Sequence, residues 1–333
     1  MSETVTNRRF STLLMMRFAL AKIFSYILAR QSLGKPKGGS MGKIAIVLSV
    51  VLFGSRAAAQ ENDHSTHAMM HESGTIAIQD ECKFPPPDSL AKARLEKSPR
   101  HGEFVDVKME GTNVPIRTWV MYPERKDKAP VIIVIHEIFG LSDWIRSVAD
   151  QLAADGYIAV APDLISGMGP GGGGTDSVKS RDDVTKLIRG LTPEETTKRL
   201  NAVRAYAVNL PAANGKSGTV GYCWGGSQSY AYATKQPELN AAIVYYGTSP
   251  DSGSLANIKA PVLGLYGGDD ARVNATIQPA LTEMKKLGKV YEYEIFEGAG
   301  HGFLRQQSGR NGANMKATQK AWPRMLEFLK KNL

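Results

Sequence analysis

Gly221-Tyr222-Cys223-Trp224-Gly225-Gly226 follows the apolar run Gly218-Thr219-Val220 and leads into the helix-compatible segment 227–235. G-x-C-x-G between a strand and a helix is the nucleophile-elbow pattern with cysteine in place of serine. A sharp strand-to-helix bend needs neighbours without a Cβ, because the backbone folds tightly beneath the nucleophile and the helix packs close to the strand. Gly221 and Gly225 meet that need. A thiol at a helix N-terminus also feels exposed N–H groups and the positive end of the helix dipole, which favour negative charge on the sulfur. Cys223 is therefore a candidate nucleophile; the competing reading is a small core hydrophobe.

Partners decide between the two. Downstream, 261–266 reads as a buried strand ending in Gly267-Gly268-Asp269-Asp270, and 290–296 as another ending in Gly298-Ala299-Gly300-His301-Gly302-Phe303. Nucleophile, acid and histidine thus stand in the order used by α/β-hydrolases, each just past a strand. Position alone does not choose between Asp269 and Asp270.

Upstream, Val131-Ile132-Ile133-Val134-Ile135 is a continuous apolar run of the kind covered on both faces in a parallel sheet, and it ends in His136-Glu137-Ile138-Phe139-Gly140. An amphipathic helix is expected over 141–154 and the next buried strand over 157–161. Two alternating segments, 103–109 and 114–122, flank the turn signal Gly111-Thr112-Asn113 and predict a hairpin at the sheet edge. The glycine-rich stretch 166–175 lacks a following Gly-Lys-Ser/Thr, so it reads as a flexible connection near the site entrance rather than a phosphate cradle. Thr192-Pro193-Glu194-Glu195 supplies an N-cap, a first-turn proline and a capping-box glutamate for a helix running to about residue 209. Further helices are expected over 277–287 and 315–331. The alternation predicts an α/β fold, a doubly wound and mostly parallel sheet with helices on both faces.

The chain has 333 residues, 42% of them apolar, enough for one large α/β domain, and carries a formal charge of +9. That charge belongs to the leader: nine of the 41 basic residues and one of the 32 acidic residues precede Gln60. The remainder is nearly neutral, so the basicity does not argue for nucleic acid. Met41-Gly42-Lys43, the apolar run 44–53 and Ala57-Ala58-Ala59 have the three regions of a secretory signal peptide. The run is too short to span a bilayer. The expected organisation is a leader over 1–59, with an upstream mis-start over 1–40 and a signal peptide over 41–59, then an extended N-terminal segment over 60–102 and a hydrolase domain over 103–333. The expected product is periplasmic or secreted, monomeric and without a stable membrane anchor. His64, His67 and His71 with Met69 and Met70 read as a polar tail rather than a soft metal site. Cys82, in a segment kept extended by Pro85-Pro86-Pro87, leaves open a structural Cys82–Cys223 disulfide in a non-enzymatic exported protein.

Glu137 in His-Glu-Ile-Phe-Gly, Cys223 in Gly-Tyr-Cys-Trp-Gly-Gly, Asp270 in Gly-Gly-Asp-Asp and His301 in Gly-Ala-Gly-His-Gly-Phe together resemble the dienelactone hydrolases, or carboxymethylenebutenolidases. The resemblance runs over about 103–333. It implies an α/β-hydrolase fold without metal or organic cofactor, hydrolysing a small lactone or ester through a Cys-Asp-His triad. It favours Asp270 over Asp269 and implies that Glu137 contacts the resting thiol. Backbone N–H groups of Trp224 and Ile138 are the expected oxyanion donors. Family members acting on dienelactone hold its carboxylate with two arginines. Arg305, four residues past His301, fits one; Arg181 is a weak match for the second, which leaves dienelactone itself in doubt as substrate and a general carboxylesterase as the alternative.

Overall fold

The apolar run around Val134 has no polar face, and both of its faces are covered. Val131, Ile133 and Ile135 point into one buried layer while Ile132 and Val134 point into the other. The computed structural model describes residues 83–333; the leader, the His64–His71 region and Cys82 lie outside the described residues.

The hairpin is β1 (Gly102–Val107) and β2 (Ile116–Met121), antiparallel at one edge. It is followed by β3 (Ala129–Ile135), β4 (Ile158–Pro162), β5 (Ala213–Tyr222), β6 (Ala241–Tyr245), β7 (Val262–Gly267) and β8 (Tyr291–Phe296). They form one sheet in the order β1-β2-β4-β3-β5-β6-β7-β8, parallel from β4 onward. On one face lie α2 (Asp143–Ala154) and the terminal α8 (Ala313–Asn332), through Trp144, Val148, Leu152, Trp322 and Phe328. On the other lie α4 (Pro193–Val208), α5 (Trp224–Ala233) and, after the one-turn α6 (Ala271–Asn274), α7 (Ile277–Lys286), through Leu200, Val203, Tyr230, Ile277 and Met284. This is the doubly wound α/β-hydrolase architecture expected from the alternation.

Local chemistry starts the helices where the sequence signals them. The Ser142 and Thr192 side chains accept from the backbone N–H groups of Ile145 and Glu195, satisfying donors that the first turns leave open.

Two expectations are corrected. Within the segment expected to be extended over 60–102, Asp88–Glu96 forms a helix, α1. Pro87 is its N-cap in extended conformation, so the proline run ends where a proline is tolerated and hands over to an acidic first-turn residue. The glycine-rich connection is fastened rather than loose. Thr175 donates its N–H and its hydroxyl to the two Asp163 carboxylate oxygens at 2.6 and 2.9 Å, and its Oγ1 accepts from the Leu141 N–H at 3.1 Å. The segment also carries two 3-10 turns, Pro170–Gly172 and Thr175–Ser177, and a short helix α3 (Arg181–Arg189) follows.

β3 lies between β4 and β5, so successive connections leave it in opposite directions along the sheet; such a switch point opens a crevice at the carboxyl ends of the strands. Ile135 is in register with Gly221 there, which puts the residues after β3 beside the elbow after β5. The approach is close enough to exclude side chains. A Cβ on Gly225 would lie 2.3 Å from the carbonyl oxygens of Ile135 and His136, and one on Gly221 would lie 1.9 Å from the Gly225 carbonyl oxygen. Gly225→Ala should therefore destabilise the fold by about 3 kcal/mol or more, because backbone must move. Gly253→Ala, exposed and facing only the Asp251 side chain, should stay within about 0.5 kcal/mol of wild type. Urea denaturation of both variants checks the contrast, and equal stabilities would contradict it.

Candidate active site

Cys223 directly follows β5 at φ 56°, ψ −117°, a backbone conformation that a residue with a Cβ rarely adopts. It is held by its own N–H donating to the Tyr245 carbonyl at 3.1 Å and by its carbonyl accepting from the Ser227 N–H at 3.1 Å. Cys223 is a free cysteine and partly exposed. Trp224 is the first residue of α5, and its N–H therefore has no intrahelical acceptor.

His301 follows β8, with Gly302 at φ +73° directly behind it. Its Nδ1 lies 2.6 Å from Asp270 Oδ2, so Nδ1 carries the proton and donates to the carboxylate. Cys223 lies close enough to the same ring to contribute to its raised pKa. Asp269 serves elsewhere: its N–H donates to the Ala299 carbonyl at 2.9 Å, and its carboxylate accepts from Arg310 at 3.2 Å. The tight turn after β7 sends adjacent aspartates to different partners, the buried one to His301 and the exposed one outward. Burial pulls the His301 pKa down, but hydrogen bonds to Asp270 and Cys223, with their charges, outweigh it and push it up to about 9.

Glu137 follows β3 and is almost wholly buried. Where the resemblance implies a contact with the thiol, the contact present is Glu137 Oε2 to Arg305 Nε at 2.9 Å, an ion pair whose geometry falls short of a well-aligned hydrogen bond. Desolvation raises the Glu137 pKa to about 7, against the opposing pull of Arg305 and His301. Ile138 follows directly, and its carbonyl accepts from Thr185 Oγ1 at 3.1 Å.

Four neighbours were not singled out from the sequence. His136 is fully buried and held well below the usual histidine pKa by desolvation. Its Nδ1–H donates to the Glu137 carbonyl at 2.7 Å, its Nε2 accepts from the Leu164 N–H at 3.2 Å, and its ring stacks on Trp224 at 5.5 Å. It braces the Glu137 loop against the elbow. Tyr246, at φ 40°, sets its ring 5.2 Å from that of His301. The buried hydroxyls of Tyr246 and Tyr222 have no hydrogen-bond partner among the described residues. Their aromatic strand-end positions read as core, and only the pairing of β5 with β6 places them at the site. The fourth is Asp88, whose carboxylate accepts from Arg305 Nη1 at 3.2 Å.

The Glu137 shift has a signed consequence. The folded protein keeps the Glu137 proton up to about pH 7, whereas an unfolded glutamate releases it near 4.5. Wild type therefore loses stability relative to Glu137→Gln as pH rises through that window, by about 3 kcal/mol in all. Thermal unfolding of both proteins from pH 4.5 to 8 should show the variant gaining on wild type until about pH 7 and then levelling. A difference independent of pH would contradict the assignment.

A groove of about 1000 Å³ between β1 and α4, lined by Val107, Lys198 and Tyr206 among others, contains none of these residues. The chemistry lies at the strand ends instead. A sequence model of the dienelactone hydrolase family matches residues 116–333. The carboxymethylenebutenolidase of Pseudomonas putida is 33% identical over 207 residues, covering 61% of this chain and 86% of its own. Among solved structures, a dienelactone hydrolase-like promiscuous phosphotriesterase from metagenomic libraries superposes with a TM-score of 0.60 at 21% identity, over 70% of this chain and 98% of that one. The Pyrococcus horikoshii acylaminoacyl peptidase shares the fold at a TM-score of 0.56 and 20% identity, over 74% of this chain and 44% of the peptidase.

Proposed function

This chain belongs to the dienelactone hydrolase family, and from that premise we propose that it is a cysteine hydrolase cleaving a lactone or small carboxylic ester through Cys223, His301 and Asp270. The observation that carries the reading is His301, bound at Nδ1 to Asp270 at 2.6 Å, with Cys223 at φ 56° on the strand-to-helix bend near enough to help raise the ring's pKa. With a pKa of about 9, His301 carries its proton at neutral pH and stands as an imidazolium beside the attacking sulfur.

The sulfur attacks the substrate carbonyl, and the N–H groups of Trp224 and Ile138 take the developing oxyanion. Collapse breaks the carbon–oxygen bond as His301 gives its proton to the leaving alkoxide, leaving a thioester on Cys223. Neutral His301 then draws a proton from water, whose oxygen attacks the thioester; the carbon–sulfur bond breaks, the acid product releases its remaining proton to solvent as the carboxylate, and free sulfur and protonated His301 are restored. Asp270 fixes the ring tautomer throughout. Glu137, paired with Arg305, sets the field beside the nucleophile.

Cys223→Ala should abolish turnover of a small activated ester, while Cys223→Ser leaves a small remnant because a hydroxyl demands more of its base. Asp270→Asn should lower kcat by roughly 10³- to 10⁴-fold by favouring the wrong tautomer, whereas Asp269→Asn should change it less than about threefold. Steady-state kinetics of the four variants test the triad. Equal losses at Asp269 and Asp270, or full activity in Cys223→Ala, would sink it.

We also propose export, on the three-part leader before Gln60. Among the described residues no helix is long and apolar enough to cross a membrane. Mass spectrometry of the mature protein should find Gln60 at its N-terminus, and an intact leader in a cytosolic fraction would count against processing.

A further inference from the structure

Beside Glu137 lies a second charged cluster that the catalytic cycle does not use. The guanidinium carbons of Arg305 and Arg181 both lie 5.2 Å from the centroid of the Phe139 ring. Both guanidinium groups reach the same oxygen, Asp88 Oδ2, Arg305 Nη1 at 3.2 Å and Arg181 Nη2 at 3.6 Å. Arg305 is largely buried while Arg181 is mostly exposed. Two guanidinium groups against one aromatic ring, converging on one carboxylate oxygen, form an anion site by construction. Here the anion is part of the chain itself.

Asp88 is also docked by its backbone. Its N–H donates to the Arg305 carbonyl at 3.1 Å, Gln307 Nε2 donates to the Pro85 carbonyl at 2.8 Å, and Trp144 Nε1 donates to the Pro86 carbonyl at 3.1 Å. The three prolines therefore lay a stiff strip across the His301 loop and present Asp88 to the arginines. This strip precedes residue 116, where the match to the family begins. Above about pH 7, where Glu137 is ionised, the charge balance of the cluster is complete without substrate: Arg305 and Arg181 face Glu137 and Asp88.

We propose that Asp88 is a specificity-determining residue: it fills the Arg305–Arg181 site with an internal carboxylate, so that the enzyme favours esters or lactones lacking a free carboxylate next to the scissile bond. The proposal rests on the ester-hydrolase reading for its consequence in turnover, but not for its consequence in binding. A substrate carboxylate entering this site has to displace Asp88 or share two guanidinium groups with two carboxylates already present. Removing the Asp88 charge leaves one positive charge uncompensated beside the nucleophile. Because Asp88 and Arg181 are partly solvated, screening leaves an effect of about tenfold or somewhat more, far short of thousands.

The test compares wild type with Asp88→Asn, near in shape and able to keep the backbone bonds, and with Asp88→Ser as a second replacement. Calorimetric titration with succinate should give a Kd at least tenfold tighter in both variants than in wild type, with the gain shrinking between 0.05 and 0.5 M salt. The ratio of kcat/KM for 4-nitrophenyl hemisuccinate to that for 4-nitrophenyl acetate should rise at least tenfold in the same variants. Adding Arg181→Gln to Asp88→Asn restores the charge balance and should return both readouts toward wild type. Succinate affinity within twofold of wild type in both Asp88 variants would overturn the proposal, whether or not either ester is hydrolysed. Absence of hydrolysis of both esters in wild type and variants alike, with the tighter succinate binding intact, would instead strike the ester-hydrolase reading and leave the anion site standing.

Discussion

Cys223 sits at φ 56°, ψ −117°, and the carboxyl-end crevice is assembled around that one constrained residue. A non-glycine residue there costs of order 1–3 kcal/mol, so the conformation persists only where its surroundings over-determine it. They do so by contact. Gly225 lies against the last carbonyls of the β3 end, Gly226 would drive a Cβ to 2.5 Å from the Tyr245 carbonyl oxygen, and the Cys223 N–H is bonded to that same carbonyl. The strain therefore locks β3, β5 and β6 together at the carboxyl-end crevice where Glu137, Cys223 and Tyr246 gather.

From this junction the electrostatics follow. His301 and Asp270 arrive from β8 and β7, whose turns are pressed together so closely that a Cβ on Gly267 would lie 2.6 Å from the Ala299 carbonyl oxygen. Glu137 arrives from β3 and is buried by the same approach that excludes a side chain at Gly225. Its burial raises its pKa to about 7, while the His301 pKa rises to about 9 through hydrogen bonds and neighbouring charge. Two titratable groups are thus set at and above neutrality by different physical causes, desolvation for the one and paired charge for the other.

Much of this was legible in the sequence because it is local. The apolar run ending at Ile135, the glycines around Cys223 and the cap at Thr192 each state a short-range requirement, and the structure meets each one. The choice between Asp269 and Asp270 is not local: it depends on the direction in which a turn faces relative to a loop thirty residues on. Helix α1 was hidden because only Ala91 of it is buried, so it carries no amphipathic period, and because a proline run reads as extended until its last member caps a helix. The fastening of the glycine-rich stretch was hidden for a related reason. Composition reports backbone freedom, whereas the Asp163–Thr175 bonds that remove it join a strand end to a residue twelve positions away. Asp88 combines both difficulties, being placed by a helix without a period and given meaning only by two arginines far along the chain.

The central claim is that the constrained residue at the end of β5 is the nucleophile. Rapid mixing with an activated ester, quenching in acid and peptide mass spectrometry address it most directly. The account predicts a transient acyl group on the peptide bearing Cys223, labile to neutral hydroxylamine as a thioester is, and accumulating when deacylation is slow. Turnover of the ester with no acyl group on Cys223 at any quench time, or with the acyl group on another residue, would contradict it.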